Sequence, residues 1–176
     1  MFNRVFVEKE VIETKRAQFI LNKLNLSLSS NKITLINDIE AIFNRVKKPY
    51  LQKRSNLNLF IGNKKGDLVK QAPDAYGVKG DPHYYFIHAY NCIYECEYCY
   101  LQGYFNSPDI VIFINHEDIG QEIKKIVNSH NVNQTIWFHA GEYSDSLALN
   151  HLTNEFDFYF DLFKDLPAAK LEFRTK

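Results

Sequence analysis

From residue 84 to the end, apolar strand candidates alternate with amphipathic helix candidates, and this alternation limits the possible folds more than any other feature. Residues 84–89 read as a strand, and residues 110–114 as a continuous apolar strand. Residues 116–129 form an amphipathic helix, with Ile119, Ile123, Ile126 and Val127 on one side. Residues 135–139 make the next strand, and residues 152–163 a helix with Phe156, Tyr159, Phe160 and Phe163 on its buried stripe. Residues 170–174 are the last strand. Repeated strand–helix–strand units imply a parallel sheet, with ligands gathered at the carboxyl ends of its strands. The expected class is therefore α/β, as a partial TIM-like barrel. The same rule predicts that the loop after residue 89, residues 141–146, and Thr175 with Lys176 meet at one rim.

Residues 1–80 read as a small mixed α+β front section, and residues 81–176 as the incomplete barrel. In the front, residues 4–7, 32–36 and 57–61 are strand candidates, and Ala17, Ile20, Leu21 and Leu24 mark a helix within 11–24. Asp38 is placed to cap a helix running to about Arg45. Gly, Asn and Pro through residues 62–80 signal a long loop. The chain has no net charge, yet Arg45 to Lys79 holds nine Lys or Arg against Asp67 and Asp74. That basic run reads either as a solvated loop face or as a phosphate-facing patch. A sheet that stops at its third barrel strand leaves an apolar edge, which a missing remainder of the chain or a partner must cover; the expectation is a fragment.

The amino end is charged, without the apolar stretch of a secretory signal, and the apolar run at 110–114 is far too short to span a bilayer. The reading is a soluble, cytoplasmic chain with no membrane segment. Fourteen Phe and eleven Tyr read first as core packing. All three cysteines fall within eight residues, an odd and clustered set that excludes a disulfide framework and points to metal or redox chemistry.

Cys92, Cys96 and Cys99 are spaced Cys-x3-Cys-x2-Cys, with Tyr98 just before the last. Thiolates are the natural ligands of iron–sulfur clusters, and short spacings let one loop wrap a cluster. Three ligands for four irons leave one iron open to a reactant. A zinc knot is the alternative, but it needs a fourth ligand from His83, His88 or Glu95, and there is no second cysteine pair. The function classes that remain are a cluster enzyme and a non-catalytic metal-binding module.

This spacing, with its aromatic residue, resembles the signature of the radical S-adenosylmethionine superfamily. The string Tyr98-Cys99-Tyr100-Leu101-Gln102 is similar to the spore photoproduct lyase family, as are residues 138–145, His151-Leu152-Thr153 and Phe173-Arg174-Thr175-Lys176. The likeness is close over residues 84–176 and loose in the front section. It implies a partial (β/α)6 barrel, here truncated after its third strand, with a [4Fe–4S] cluster on the three cysteines and S-adenosylmethionine on the open iron. It implies a 5′-deoxyadenosyl radical acting on a thymine lesion in DNA, with DNA and a one-electron donor such as flavodoxin or ferredoxin as partners. A non-DNA substrate is the other enzymatic reading, and the 176-residue chain alone is expected to turn over poorly.

By position, Ser144 and Lys176 match family residues that contact the cofactor, and Tyr98 and Tyr100 match tyrosines of the radical relay. Read without the family, Ser144 is a loop cap, Lys176 an exposed lysine, and one of the tyrosines core packing. Glu142 stands where the family carries a cysteine that returns hydrogen to the product, and no other cysteine exists. Gly141-Glu142 instead resembles the Gly-Gly-Glu element that grips the ammonium of S-adenosylmethionine; a carboxylate capping the next turn is the alternative. His139, at a strand end, reads as a satisfied structural histidine ahead of a substrate contact.

Overall fold

A computed structural model describes residues 2–43, 54, 56–73, 80–131 and 134–176. The first sheet contains β1 (Val5–Glu8), β2 (Ile33–Ile36), β3 (Leu59–Gly62), β6 (Ala89–Tyr90) and β7 (Ile110–Phe113), in the order β2-β1-β3-β7-β6. The second contains β4 (Val69–Gln71), β5 (His83–Phe86), β8 (Ile136–Ala140) and β9 (Ala169–Glu172), in the order β4-β5-β8-β9. All pairings are parallel except β6 with β7 and β4 with β5. This is a mixed α/β fold with parallel sheets. Both sheets draw strands from either side of residue 80.

β7 lies in the first sheet, parallel to β3 and antiparallel to β6, and not beside β5 in the second sheet. Its apolar continuity has a local cause. Ile110 and Ile112 pack into the core under α1 (Lys15–Lys23), while Val111 and Phe113 pack into a second core with Phe43, Phe60 and Tyr143. A strand covered on both faces has no polar side to show in sequence.

In the front section the helix expected within 11–24 is present, and two further expectations meet corrections. The first helix starts at Lys15, because Thr14 closes a turn onto Val11 and then caps the helix by accepting from the Ala17 N–H at 3.2 Å. Asp38 caps an isolated turn, with Oδ1 accepting from the Glu40 N–H at 2.8 Å. Over residues 39–43 the Ile42 and Phe43 N–H groups close one turn onto Ile39 O, at 2.9 and 3.1 Å, and no helix forms there; residues 44 and 45 lie outside the described set. The expected loop at 62–80 contains β4.

The second sheet is covered on one face by α2 (His116–Ser129) and α4 (Glu155–Lys164). Phe86, Ile136, Phe138 and Ala140 meet Ile119, Ile123 and Tyr159 there. Each fully buried large side chain contributes about 1.5–3 kcal/mol. The helix expected over 152–163 is split into α3 (Asn150–Thr153) and α4 by Asn154, whose left-handed φ of 53° ends the first. Asn150 Oδ1 then accepts from the Phe156 N–H at 2.9 Å. The break turns Glu155 inward and Phe160 outward, so Phe160 is 49% exposed and not part of a buried stripe. β9 is the outer strand of its sheet among the described residues, with exposed Lys170 beside partly buried Leu171.

Candidate functional site

The chain leaves β5 through Ile87 and His88, enters β6 in the other sheet, and then opens into the cysteine loop. Asn91 makes that exit with a φ of 58°, in the left-handed region that asparagine tolerates better than most residues. Its side-chain amide donates to the carbonyls of Ser107 at 2.8 Å and Asp109 at 2.7 Å, which closes the base of the loop. Inside, the Cys99 N–H donates to Cys96 O at 2.9 Å, and Gln102 Nε2 donates to the same carbonyl at 2.6 Å.

Arg54 clamps the loop from outside. Its guanidinium donates to Tyr94 O at 2.9 Å and to Cys92 O, and lies 3.9 Å from the Glu95 carboxylate. No spacing in the sequence links a residue at 54 to a loop at 92. The other described members of the basic run are also tied down: Lys64 pairs with Glu40, Lys65 with Asp38, and Lys70 with Asp67. Arg45, Lys47, Lys48, Lys53, Asp74 and Lys79 lie outside the described residues.

Cys92, Cys96 and Cys99 are free thiols of intermediate exposure. Burial pushes the Cys92 thiol pKa up, opposed by backbone N–H groups of Tyr94 and Asp145 that point at its sulfur. Among the described residues, no three His, Cys, Asp or Glu side chains close around one point. Of the donors offered for a zinc knot, Glu95 lies 3.9 Å from Arg54 Nε, and neither histidine joins the three thiols around one point. His83 Nδ1 is 2.9 Å from His139 Nε2, and His88 Nδ1 is 3.0 Å from Glu155 Oε2. Three thiols in one loop are the donor type that iron–sulfur clusters use.

The second segment follows β8. Gly141 has a φ of 78°, and a Cβ there would lie 2.5 Å from Ser146 Oγ, so this turn needs glycine. Ser146 Oγ donates to Ala140 O at 3.0 Å and accepts from the Arg174 N–H at 2.8 Å, stitching the loop to the end of β9. Asp145 completes the stitch. Its Oδ1 accepts from the Leu147 and Ala148 N–H groups at 2.9 and 2.7 Å and from Thr175 Oγ1 at 3.0 Å. Its Oδ2 accepts from the Lys176 N–H at 2.7 Å.

The three segments expected to share a rim therefore do. Tyr100 donates from its hydroxyl to Glu142 O at 3.0 Å, and Lys176 Nζ lies 5.1 Å from the Tyr98 ring centre. A hydrogen bond to the Tyr98 hydroxyl raises the Lys176 pKa, and Cys96 adds to the effect. Tyr94, Glu95, Cys96 and Lys176 line one recess. Ser144 is buried in the β8 loop, and the Glu142 carboxylate lies 4.0 Å from Arg174 Nη1. Tyr98 and Tyr100 are 80% and 62% exposed, so neither is core packing.

His139 is a satisfied structural histidine. It is 2% exposed, with Nδ1 3.2 Å from Glu172 Oε1 and 3.3 Å from Arg174 Nη2, and burial lowers its pKa. Beneath the rim, His88, Glu155, His116 and Tyr159 form a buried polar cluster. Burial alone would lower the His88 pKa, but the Glu155 carboxylate outweighs it and the net shift is upward. Glu155 moves down because His88 outweighs its own burial. His116, 3.0 Å from Tyr159 Oη and 3.9 Å from Glu155, is lowered by burial to about 3.

Comparison with known proteins agrees with this geometry. The family described as spore photoproduct lyase matches residues 1–176, so the likeness takes in the front section as well. Spore photoproduct lyase of Bacillus subtilis (strain 168) is 27% identical over 176 residues, covering 98% of this chain and 48% of that protein. A solved tyrosine-to-phenylalanine variant of spore photoproduct lyase has a TM-score of 0.73 at 20% identity, covering all of this chain and 50% of the other. A variant with bound AdoMet and dinucleoside spore photoproduct has a TM-score of 0.68 at 20% identity, covering 97% of this chain and 48% of the other. At such identities the structural likeness establishes the fold alone. The chain spans about half the length of the relatives it matches. No helix among the described residues is long and apolar enough to cross a membrane.

Proposed function

This chain belongs to the spore photoproduct lyase family, and from that premise we propose that its rim site is a radical S-adenosylmethionine centre. The observation that carries the reading is the meeting of the cysteine loop, the loop after β8 and the end of β9, joined by Asp145, Tyr100 and Lys176. In this reading Cys92, Cys96 and Cys99 hold a [4Fe–4S] cluster and leave one iron open. When bound, the cluster and S-adenosylmethionine supply a 5′-deoxyadenosyl radical for hydrogen abstraction from a thymine lesion in DNA or a related base.

The chain's own residues bind and orient. Ser144 offers a hydroxyl and Lys176 an ammonium to the cofactor's carboxylate or ribose. Glu142 accepts from its ammonium through a charge-assisted bond. Tyr98 and Tyr100 stand exposed at the mouth of the site, where a relay residue must be reachable from both cofactor and substrate. DNA is the substrate-bearing partner and a flavodoxin or ferredoxin the one-electron donor. β5, β8 and β9 serve as the first three strands of a partial (β/α)6 barrel within residues 81–176, with residues 1–80 as its front section. Thiol ligands that must stay reduced belong in the cytoplasm.

Glu142 favours one departure from the family cycle. A carboxyl O–H bond is too strong to return a hydrogen atom to a product radical, so another donor closes the cycle or the substrate differs.

Anaerobic reconstitution with iron and sulfide, followed by electron paramagnetic resonance of the reduced protein with and without S-adenosylmethionine, tests the reading. A [4Fe–4S] signal that changes on adding the cofactor is the expected result. Bound zinc, or no cluster, would withdraw it in favour of a metal-binding or structural role.

A further inference from the structure

The best-connected side chain at the rim among the described residues is Asp145, the last residue of the string 138–145, for which the resemblance implied no role. The Asp145 carboxylate accepts four hydrogen bonds, two from the turn that follows it and two from Thr175 and Lys176, which lie thirty and thirty-one residues away in sequence. The loop that carries it meets the cysteine loop where the Tyr100 hydroxyl donates to Glu142 O at 3.0 Å. One residue thus ties the β8 loop to the end of β9 beside the cysteine loop, and its two oxygens divide the work. Oδ1 caps the turn at Leu147 and Ala148 and takes the Thr175 hydroxyl, while Oδ2 alone takes the Lys176 N–H.

We propose that Asp145 is the positioning residue of this centre: its carboxylate sets the end of β9, and so the Lys176 ammonium, at a fixed place relative to the cysteine loop. The assignment rests on the radical reading only for what Lys176 is positioned against; the tie itself is a property of the chain. The physical logic is preorganisation. Lys176 is an exposed residue at the end of a strand, and an untethered lysine there would lose side-chain and backbone freedom whenever it gripped an anion. Holding its backbone in advance removes part of that cost.

The two oxygens allow a discriminating substitution. Asp145→Asn keeps an oxygen on the turn but places an NH2 group against the Lys176 N–H, while Asp145→Ala removes every bond. The metal-free chain is read first, by amide exchange in nuclear magnetic resonance and by the rate of iodoacetamide alkylation of Cys92. Asp145→Asn should leave the Leu147 and Ala148 amides protected and Cys92 alkylation unchanged, while Lys176 amide exchange rises about tenfold, the loss of one hydrogen bond. Asp145→Ala should also release the turn amides and speed alkylation of Cys92. After reconstitution, Asp145→Asn should need about tenfold more S-adenosylmethionine to change the cluster signal by half.

Lys176 exchange within twofold of the parent in Asp145→Asn overturns the tie. A faster exchange with an unchanged cofactor requirement overturns the positioning role. Should the parent chain take up no cluster at all, the radical reading falls, and the exchange and alkylation rates still decide the tie.

Discussion

Glu8 and Gly62 share one small space: a Cβ on Gly62 would lie 2.5 Å from Glu8 Oε2. Glu8 is fully buried at the carboxyl end of β1, and its carboxylate accepts from the N–H groups of Ile39 at 2.8 Å and Asn63 at 2.9 Å. The strand order of the first sheet reverses here, with β2 on one side of β1 and β3 on the other, both parallel to it. Such a switch point commonly opens a ligand crevice with free N–H groups. In this chain a side-chain carboxylate fills the crevice and satisfies the donors, whereas the proposed site lies at the rim of the second sheet.

Gly62→Ala should therefore destabilise the fold by about 1–3 kcal/mol, the range for overpacking a filled core. The cost is steric, since Gly62 is an ordinary strand residue, with Ile39 Cδ1 also 2.6 Å from the added methyl. Urea unfolding measures it, and a change below about 0.5 kcal/mol would mean that Glu8 moves aside easily.

The cluster under the rim predicts an acid weakness. His116 has a pKa lowered to about 3, so the folded chain refuses a proton that the unfolded chain takes up below its ordinary value of 6.5. Stability from this group is complete above 6.5 and is lost as pH falls toward 3. Glu155, also lowered, loses its contribution as the pH drops through its folded pKa. His88 is raised and acts in the opposite sense, losing its contribution as the pH rises through its folded pKa. Replacing His116 with Gln should flatten the acid side of the stability curve by up to about 1.4 kcal/mol per pH unit. Urea midpoints at several pH values between 4 and 7 read this directly, and parallel curves for parent and variant would rule it out.

Arg54→Gln should loosen the cysteine loop without unfolding the protein. The guanidinium bridges the Cys92 and Tyr94 carbonyls, and a shorter amide side chain reaches at most one of them. Cluster loading per chain, read as iron and sulfide content after anaerobic reconstitution, should fall severalfold while the melting temperature shifts by only a few degrees, about 1 kcal/mol in a domain of this size. Full loading would show that the loop is ordered by its own turns alone.

What was legible in the sequence follows from how local the cause is. The helix at His116–Ser129 was read with its true ends, because its periodicity lies in one segment. The shared rim was legible because strand ends in a parallel sheet gather functional loops wherever the strands lie in sequence. The placement of β7 was not legible, because an apolar strand covered on both faces gives no sign of which sheet it joins. Nor was the break at Asn154, which depends on the buried charge of Glu155 finding His88 across 67 residues. Arg54 and Asp145 stayed hidden for the same reason. Each acts on a segment distant in sequence, and such couplings leave no local pattern.

Glu142 has two readings in the proposed site, and they give opposite results. As the grip for the cofactor's ammonium, Glu142 must present a charged carboxylate, and the Arg174 guanidinium 4.0 Å away keeps that carboxylate oriented toward the end of β9. As a turn cap, it needs only a polar side chain, and an amide would serve equally well. Glu142→Gln preserves size and shape while removing the charge. If the carboxylate grips the ammonium, S-adenosylmethionine affinity should fall about 10- to 100-fold, the loss of a charge-assisted bond worth about 1.5–3 kcal/mol. Thermal stability should stay near that of the parent, because Glu142 is partly exposed and Tyr100 bonds its backbone carbonyl and not its carboxylate. Titration of the reconstituted protein with the cofactor, followed by the change in its paramagnetic signal, measures the affinity. An unchanged affinity would assign Glu142 to the turn and leave Ser144 and Lys176 as the cofactor contacts of the proposed site.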